Sequence, residues 1–187
     1  MINQHHISPS LDGIKDIKNI FKISTTNCAG LNSITKQEQI LNFMHLNKID
    51  IMGLSETKLK DSICQHIYKQ EKTITTWWSN DDNNYYSTGV GIMIRNEIAK
   101  YVIKVNRIKG RIIQIIMLMK GKIRLSIIQI YNQAHDNDKE AKQQLYKEVE
   151  SIVKEETKLK SHVIIMGDFN IDISRMEEKE KQNKKIH

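Results

Sequence analysis

A single proline at position 9, two cysteines and no apolar run near the ~20 residues of a membrane-spanning helix mark this 187-residue chain. With Cys28 and Cys64 lacking C-x-x-C spacing, neither a disulfide framework nor a zinc site is expected, and both thiols should be free in a reducing compartment. The opening Met1-Ile2-Asn3-Gln4-His5-His6 has no basic-then-apolar signal profile, so an intracellular protein, compatible with the nucleus and not secreted, is expected. No internal repeat is present. Apolar residues make up 39%, enough for the core of one domain. The formal charge of +7 favours anionic partners, nucleic acid first among them. Lysine and asparagine are abundant throughout, however, so the excess also reads as solvated surface, and both readings stand.

The pattern alternates strands and helices. Strands are expected over 21–26, 51–55, 73–78, 89–95, 111–119 and 122–131, with a further one near 98–105 and a last one beginning at 163. Lys120-Gly121 suits a tight hairpin between the two long strands. A helix over 36–47 is opened by Thr35 with Glu38 three residues on, the spacing of a capping box, and uses Ile40, Leu41, Met44 and Phe43 as its apolar face. A shorter helix is expected over 62–70. A long one over 138–160 carries a stripe of Ala141, Leu145, Val149, Ile152 and Val153, with Lys and Glu on the solvated face. Asn80-Asp81-Asp82-Asn83-Asn84 reads as a polar loop that nothing in the pattern orders. Residues 1–20 read as an extension, 21–175 as the domain and 176–187 as a charged tail. The order of elements is that of a two-sheet α/β sandwich with helices outside.

Polar groups recur where strands end. Val163-Ile164-Ile165-Met166-Gly167-Asp168-Phe169-Asn170 is a buried-strand pattern followed by a carboxylate and, two residues on, a carboxamide. Such a pair suits proton transfer and phosphate oxygens, since a carboxylate accepts protons and an amide donates hydrogen bonds; a turn closed by Asp and Asn side chains is the plainer reading. Asn27 follows a β-branched stretch, Glu56 ends an apolar run, and Tyr131-Asn132 ends another. Groups converging from several strand ends are a common way to assemble a site.

Thr26-Asn27 with Gly30-Leu31, Leu54-Ser55-Glu56-Thr57, Gly89-Val90-Gly91-Ile92, Ile130-Tyr131 and Ile165-Met166-Gly167-Asp168-Phe169-Asn170 occur in the order found in the endonuclease/exonuclease/phosphatase superfamily. Over residues 20 to 175 the chain resembles that superfamily, and the Ser-Glu-Thr form, where repair enzymes usually carry Gln-Glu-Thr, tilts the resemblance towards the apurinic-type endonuclease domain of non-LTR retroelements. The resemblance implies a four-layered α/β sandwich, two mixed sheets with helices outside. It implies hydrolysis of a DNA phosphodiester by an activated water with one Mg²⁺ (or Mn²⁺), and no small-molecule cofactor. Carried over by motif, Glu56 is the metal ligand and Asn27 supports the metal site. Asp168 is the proton-transfer group, Asn170 orients the phosphate, and Tyr131 donates its hydroxyl to a non-bridging oxygen or the leaving group.

Several positions depart from the family. Tyr131 is followed by Asn132-Gln133-Ala134 rather than by a proline, and Ala29 stands where repair-type relatives carry an aspartate. The family's further strands, with an Asp and a Ser-Asp-His segment, do not appear before His187, so a domain cut short, missing its C-terminal strands and weak or inactive, is expected. A catalytically silent nucleic-acid-binding fragment and another phosphodiesterase branch are the rival readings. His135 and His162 lack the Ser-Asp-His context and read as loop histidines. Trp77-Trp78 read as packed aromatics before a base-stacking pair, and Arg95, Lys104, Arg107, Lys109 and Arg111 as either a phosphate-facing edge or a solvated rim. Oligomeric state is left open by the sequence.

Overall fold

The structure, a computed structural model, describes residues 21–133 and 139–171. Within them β1 (Ile23–Asn27), β2 (Ile51–Ser55), β3 (Ile74–Ser79) and β4 (Val90–Arg95) form one sheet in the order β1-β2-β4-β3. β5 (Val102–Ile108), β6 (Ile112–Met119), β7 (Ile123–Tyr131) and β8 (His162–Asp168) form a second in the order β5-β6-β7-β8. β1 runs parallel to β2 and β7 parallel to β8, while the other pairs are antiparallel, so both sheets are mixed. Parallel neighbours need long crossovers. α1 (Ile34–Leu46) supplies the first and α4 (Lys139–Lys158) the second. α2 (Asp61–Cys64) and α3 (Asn96–Ala99) are single helical turns.

Alternation along the strands sorts the apolar residues into three packed zones. Ile51, Ile92 and Ile94 of the first sheet meet Ile113, Ile115 and Ile127 of the second between the sheets. Met52, Leu54, Met93 and Trp78 face the other way, onto Met44, Ile40 and Leu41 of α1. Ile112, Ile128 and Ile130 receive Leu145 and Val149 of α4. The layers are therefore helix, sheet, sheet and helix. β2 is buried along its whole length because both its faces are covered, which is why it reads as an unbroken apolar run. Trp78 stacks on Tyr68, and Trp77 packs between the sheets, so the tryptophan pair belongs to the core.

Some local expectations fail for physical reasons. α1 begins two residues earlier than expected, with Ser33 preceding it, and no side chain caps it; Thr35 lies inside the helix, so the Thr35–Glu38 capping box does not form. Phe43 is half exposed. The helix expected over 62–70 is one turn followed by further turns, as Tyr68 takes a left-handed φ of 58°. The strand expected near 98–105 forms, but starts later, as β5 at Val102, because α3 takes up Asn96–Ala99, and it has a register irregularity between Val102 and Lys104. The Asn80–Asn84 loop is ordered, because Asp82 accepts the Asp61 amide at 2.8 Å and Asn80 donates to the Asp61 carboxylate at 2.9 Å. Lys120-Gly121 does turn the β6–β7 hairpin. Residues 1–20, His135, Asp138 and the charged tail lie outside the described residues.

The polar face of α4 is not wholly solvated. Glu156 continues the Leu145–Val149–Val153 stripe and is only 4% exposed. Its carboxylate accepts two bonds from Arg124 of β7, at 3.0 and 3.1 Å, one from Gln114 of β6 at 3.2 Å, and one from the Ser161 hydroxyl. Gln114 also donates to Ser126 at 2.9 Å, so a satisfied polar cluster ties α4 to two strands. Cys28 and Cys64 are free and buried, and burial pushes the Cys28 thiol up to about 12. No helix among the described residues is long and apolar enough to cross a membrane.

Candidate active site

Parallel pairing places the carboxyl ends of β1 and β2 side by side, with Asn27 opposite Ser55, and those of β7 and β8 likewise, with Tyr131 opposite Asp168. Sheet packing brings the two pairs together at one end of the sandwich. The join is Asn27: its amide nitrogen donates to Glu56 Oε2 at 2.9 Å and to Asp168 Oδ2 at 2.8 Å. Its oxygen accepts the Ala29 N–H at 2.8 Å, which fixes which way the amide points. Two carboxylates far apart in sequence are thus held on one donor. Asn27, Glu56, Tyr131, Asp168 and Asn170 line a single cleft of about 290 Å³, together with Lys58, Tyr86, Ser87 and Gln133.

Glu56 is held in a conformation that side chains other than glycine rarely adopt, φ 55°, and Lys58 in another, φ 53°. Backbone bonds over-determine this loop. Gly30 donates to the Glu56 carbonyl at 2.8 Å and Leu31 to the Thr57 carbonyl at 2.8 Å, while the Thr57 and Lys58 amides donate to Gly89 and Thr88, both at 3.0 Å. A non-glycine residue held this way costs of order 1–3 kcal/mol and persists only where its surroundings insist. The result points the Glu56 carboxylate into the cleft. The Lys58 ammonium lies 2.7 Å from Glu56 Oε1. Burial by itself raises the Glu56 pKa, but hydrogen bonds from Lys58 and Asn27, the Lys58 charge and the Tyr131 hydroxyl outweigh it and hold the group below the ordinary carboxylate range.

Tyr131 is 5% exposed, with the Arg111 guanidinium 5.5 Å from its ring centre. Burial, then the Glu56 charge, push its hydroxyl up to about 12, against the Arg111 charge, so it keeps its proton at neutral pH and remains a donor. Asn170 takes φ 44°; its backbone N–H bonds Asp168 Oδ1 at 3.1 Å and its side-chain amide donates to the Asn132 carbonyl. Asn132 secures the same turn, donating from its backbone to the Asp168 carbonyl and from its side chain to the Phe169 carbonyl, both at 2.8 Å.

Sequence reasoning missed Lys58, Asn132 and the layer beneath the cleft. Gln129, fully buried between the sheets, donates to Ser55 Oγ at 2.7 Å and accepts from Thr25 Oγ1 at 3.1 Å; Ser55 in turn donates to the Ile130 carbonyl at 3.2 Å. Gly53 leaves room for this, since a Cβ there would meet Gln129 Oε1 at 1.9 Å. The serine of Ser-Glu-Thr is therefore one half of an inter-sheet bond. Gln129→Leu is expected to lose about 0.5–1.5 kcal/mol by removing the donor to the buried Ser55 hydroxyl, which keeps its own bond to the Ile130 carbonyl, measured by urea denaturation; an unchanged midpoint would count against the bond. His162 opens β8 at the strand's other end from Asp168, and Arg95 pairs there with Asp50 at 3.7 Å. Arg107 donates to the Trp78 carbonyl at 2.8 Å. Among the described residues no histidine lines the cleft and no three His, Cys, Asp or Glu side chains cluster as a metal site.

Two mixed sheets packed face to face, with carboxylates and amides pooled at the strand exits, define an α/β sandwich with a polar cleft at one end. Residues 24–179 match the Endonuclease/Exonuclease/phosphatase family, and the chain belongs to it. The fold is similar to that of the Xenopus laevis APE2 catalytic domain, at 17% identity and TM-score 0.64, over 81% of this chain and 59% of that one. It is also similar to the 3'-5' exonuclease NExo from Neisseria meningitidis, at 23% identity and TM-score 0.61, over 81% and 58%. A third similar structure is D. rerio TDP2 complexed with a single-strand DNA product, at 19% identity and TM-score 0.55, over 81% and 61%. The chain spans about three-fifths of the length of these structures.

Proposed function

We propose that this chain is a metal-dependent phosphodiester hydrolase domain of the retroelement endonuclease type, acting on DNA. The observation that carries the reading is the Asn27 amide bridging Glu56 and Asp168 in one cleft with a protonated Tyr131. The charge of +7 and the Leu54-Ser55-Glu56-Thr57 motif support DNA and the retroelement branch. The donor set suits Mg²⁺ or Mn²⁺: hard carboxylate oxygens, few of them, with open space for water, as Mg²⁺ sites commonly have. Glu56 would hold the ion, which when bound supplies charge stabilisation at the phosphate. Asn27 keeps its oxygen on Ala29 and fixes the two carboxylates rather than adding a ligand.

Asp168 accepts a proton from the attacking water as its oxygen bonds to phosphorus. The phosphorus bond to the leaving oxygen breaks, and that oxygen is protonated from Tyr131 or from solvent. If the tyrosine proton is not transferred, the hydroxyl donates instead to a non-bridging oxygen. One N–H of the Asn170 amide is held by Asn132, which leaves the other for a phosphate oxygen. The test is plasmid nicking with Mg²⁺ at protein excess. Glu56→Ala is expected to reduce it about a hundred- to a thousandfold, the scale of losing a preorganised group at the charge that develops, while DNA binding persists. Nicking that survives Glu56→Ala or chelation overturns the reading. Binding without nicking would instead favour a catalytically silent nucleic-acid-binding domain, the reading supported by the lack of a cleft histidine among the described residues.

A further inference from the structure

Tyr86 is 62% exposed, and it is the one strongly exposed aromatic side chain of the described residues that also lines the cleft holding Glu56 and Asp168. It is not loose. It lies in a single turn, Tyr85–Ser87, stitched by Asn84 N–H to the Asp81 carbonyl at 3.0 Å, by Ser87 N–H and the Thr88 hydroxyl to the Asn84 carbonyl, each at 3.0 Å, and by Gly89 N–H to the Gly110 carbonyl at 2.9 Å. Its ring meets that of Tyr85 edge to face, with centres 5.3 Å apart at 73°, and the Lys60 ammonium lies 4.6 Å from the centre of the Tyr85 ring. An aromatic ring on an anchored turn, with few rotatable bonds and left in water beside a phosphodiester-cleaving cleft, loses little freedom on binding and offers a flat apolar surface to a flat apolar partner. A phosphoester of an inositol or a lipid headgroup has no such partner. A nucleotide has one on either side of every phosphate.

We propose that Tyr86 is a nucleobase platform, so that the cleft takes a phosphodiester flanked by an unstacked base, as in single-stranded or locally opened DNA. This rests on the DNA phosphodiesterase reading above. A base still stacked within a duplex has its faces occupied and cannot use the ring, so the platform favours frayed, gapped or single-stranded sites over intact duplex. Stacking is indifferent to which base is presented, so little sequence preference arises from this contact.

The test uses the full chain and an oligonucleotide carrying the fluorescent base 2-aminopurine, titrated over a range of salt concentrations. With the wild type, binding should quench 2-aminopurine and should be tighter for a single strand than for the matching duplex. Tyr86→Ala should weaken single-strand binding about tenfold and abolish the quench, Tyr86→Leu should behave like Tyr86→Ala, and Tyr86→Trp should restore both affinity and quench. The slope of log affinity against log salt should not change among the variants, because a stacking contact releases no counterion. Unchanged affinity in Tyr86→Ala overturns the proposal, as does restoration by Leu. A wild type that binds no oligonucleotide at low salt overturns the DNA reading itself, and the proposal with it, which is a result distinct from binding that ignores Tyr86.

Discussion

Arg124→Met is expected to lower folding stability by about 3–5 kcal/mol, whereas Arg124→Met combined with Glu156→Leu should cost much less. The single change leaves the Glu156 carboxylate buried beneath α4 with only Gln114 and Ser161 as donors, and an uncompensated buried charge is the expensive outcome. Removing both partners removes the charge along with its need. Acid gives a second signature. Burial by itself pushes the Glu156 pKa up, but hydrogen bonds from Arg124 and Ser161 and the Arg124 charge hold it below its ordinary value of 4.5. A folded-state pKa below the unfolded one means that this contribution is present above the unfolded value and is lost as pH falls through the folded value. Wild-type stability should therefore decline in that acid window. In Arg124→Met burial wins and the sign reverses, so the gap between the two proteins should narrow on going from neutral pH to about pH 4. Urea denaturation at the two pH values measures it. A constant gap would show that Glu156 does not need Arg124.

Gly167→Ala is expected to cost about 3 kcal/mol or more and to displace Asp168. Gly167 takes φ 135°, and a Cβ there would lie 2.0 Å from the Ile130 carbonyl oxygen and 2.8 Å from the Ile130 nitrogen, both backbone atoms of β7. Backbone paired in a sheet cannot move aside as a side-chain tip can. For a domain of this size the melting temperature should fall by roughly 6–12 °C, at 2–4 °C per kcal/mol. Gly121→Ala is the control. It also has a left-handed φ, 76°, but nothing lies within 4 Å, so only the conformational cost of about 1–2 kcal/mol applies. Equal losses in the two variants would show that φ alone, and not contact with β7, demands Gly167. On the nicking reading proposed above, Gly167→Ala should not nick even at temperatures where it is folded, because the strand end that aims Asp168 has shifted.

The strands were legible where both periodicity and exit chemistry agreed. Ile51-Met52-Gly53-Leu54-Ser55 and the run ending at Asp168 are short, apolar and stopped by polar residues, so strand positions, and with them the placing of Glu56 and Asp168 at strand exits, could be read directly. The α4 stripe was legible through Leu145 and Val149, but its continuation into Glu156 was hidden, since a glutamate at an inward position is distinguishable from a solvated one only once Arg124 and Gln114 are known to face it. The same limit hid Gln129 and Ser55, whose partners are 74 residues apart in the chain. Lys58 carried no pattern of its own: its approach to Glu56 comes from two left-handed residues, and backbone conformation at lysine or glutamate leaves no mark in composition. The capping box failed because Thr35-x-x-Glu38 is a frequent spacing, and here the backbone entered its helix two residues sooner.

The hydrogen bond from Asn27 to Asp168 joins residues 141 apart, and it links the first described strand to the last. Closing so long a loop is among the slower events open to a folding chain, since its entropy must be lost before the contact rewards it. The first sheet can pair from β1 to β4 while the remainder is still being synthesised, but the cleft has no carboxylate pair until β8 docks beside β7. Assembly of the carboxylate pair thus waits on β8, the last described strand. A nascent chain long enough to hold its first sheet carries Glu56 with Lys58 against it and has not yet acquired Asp168.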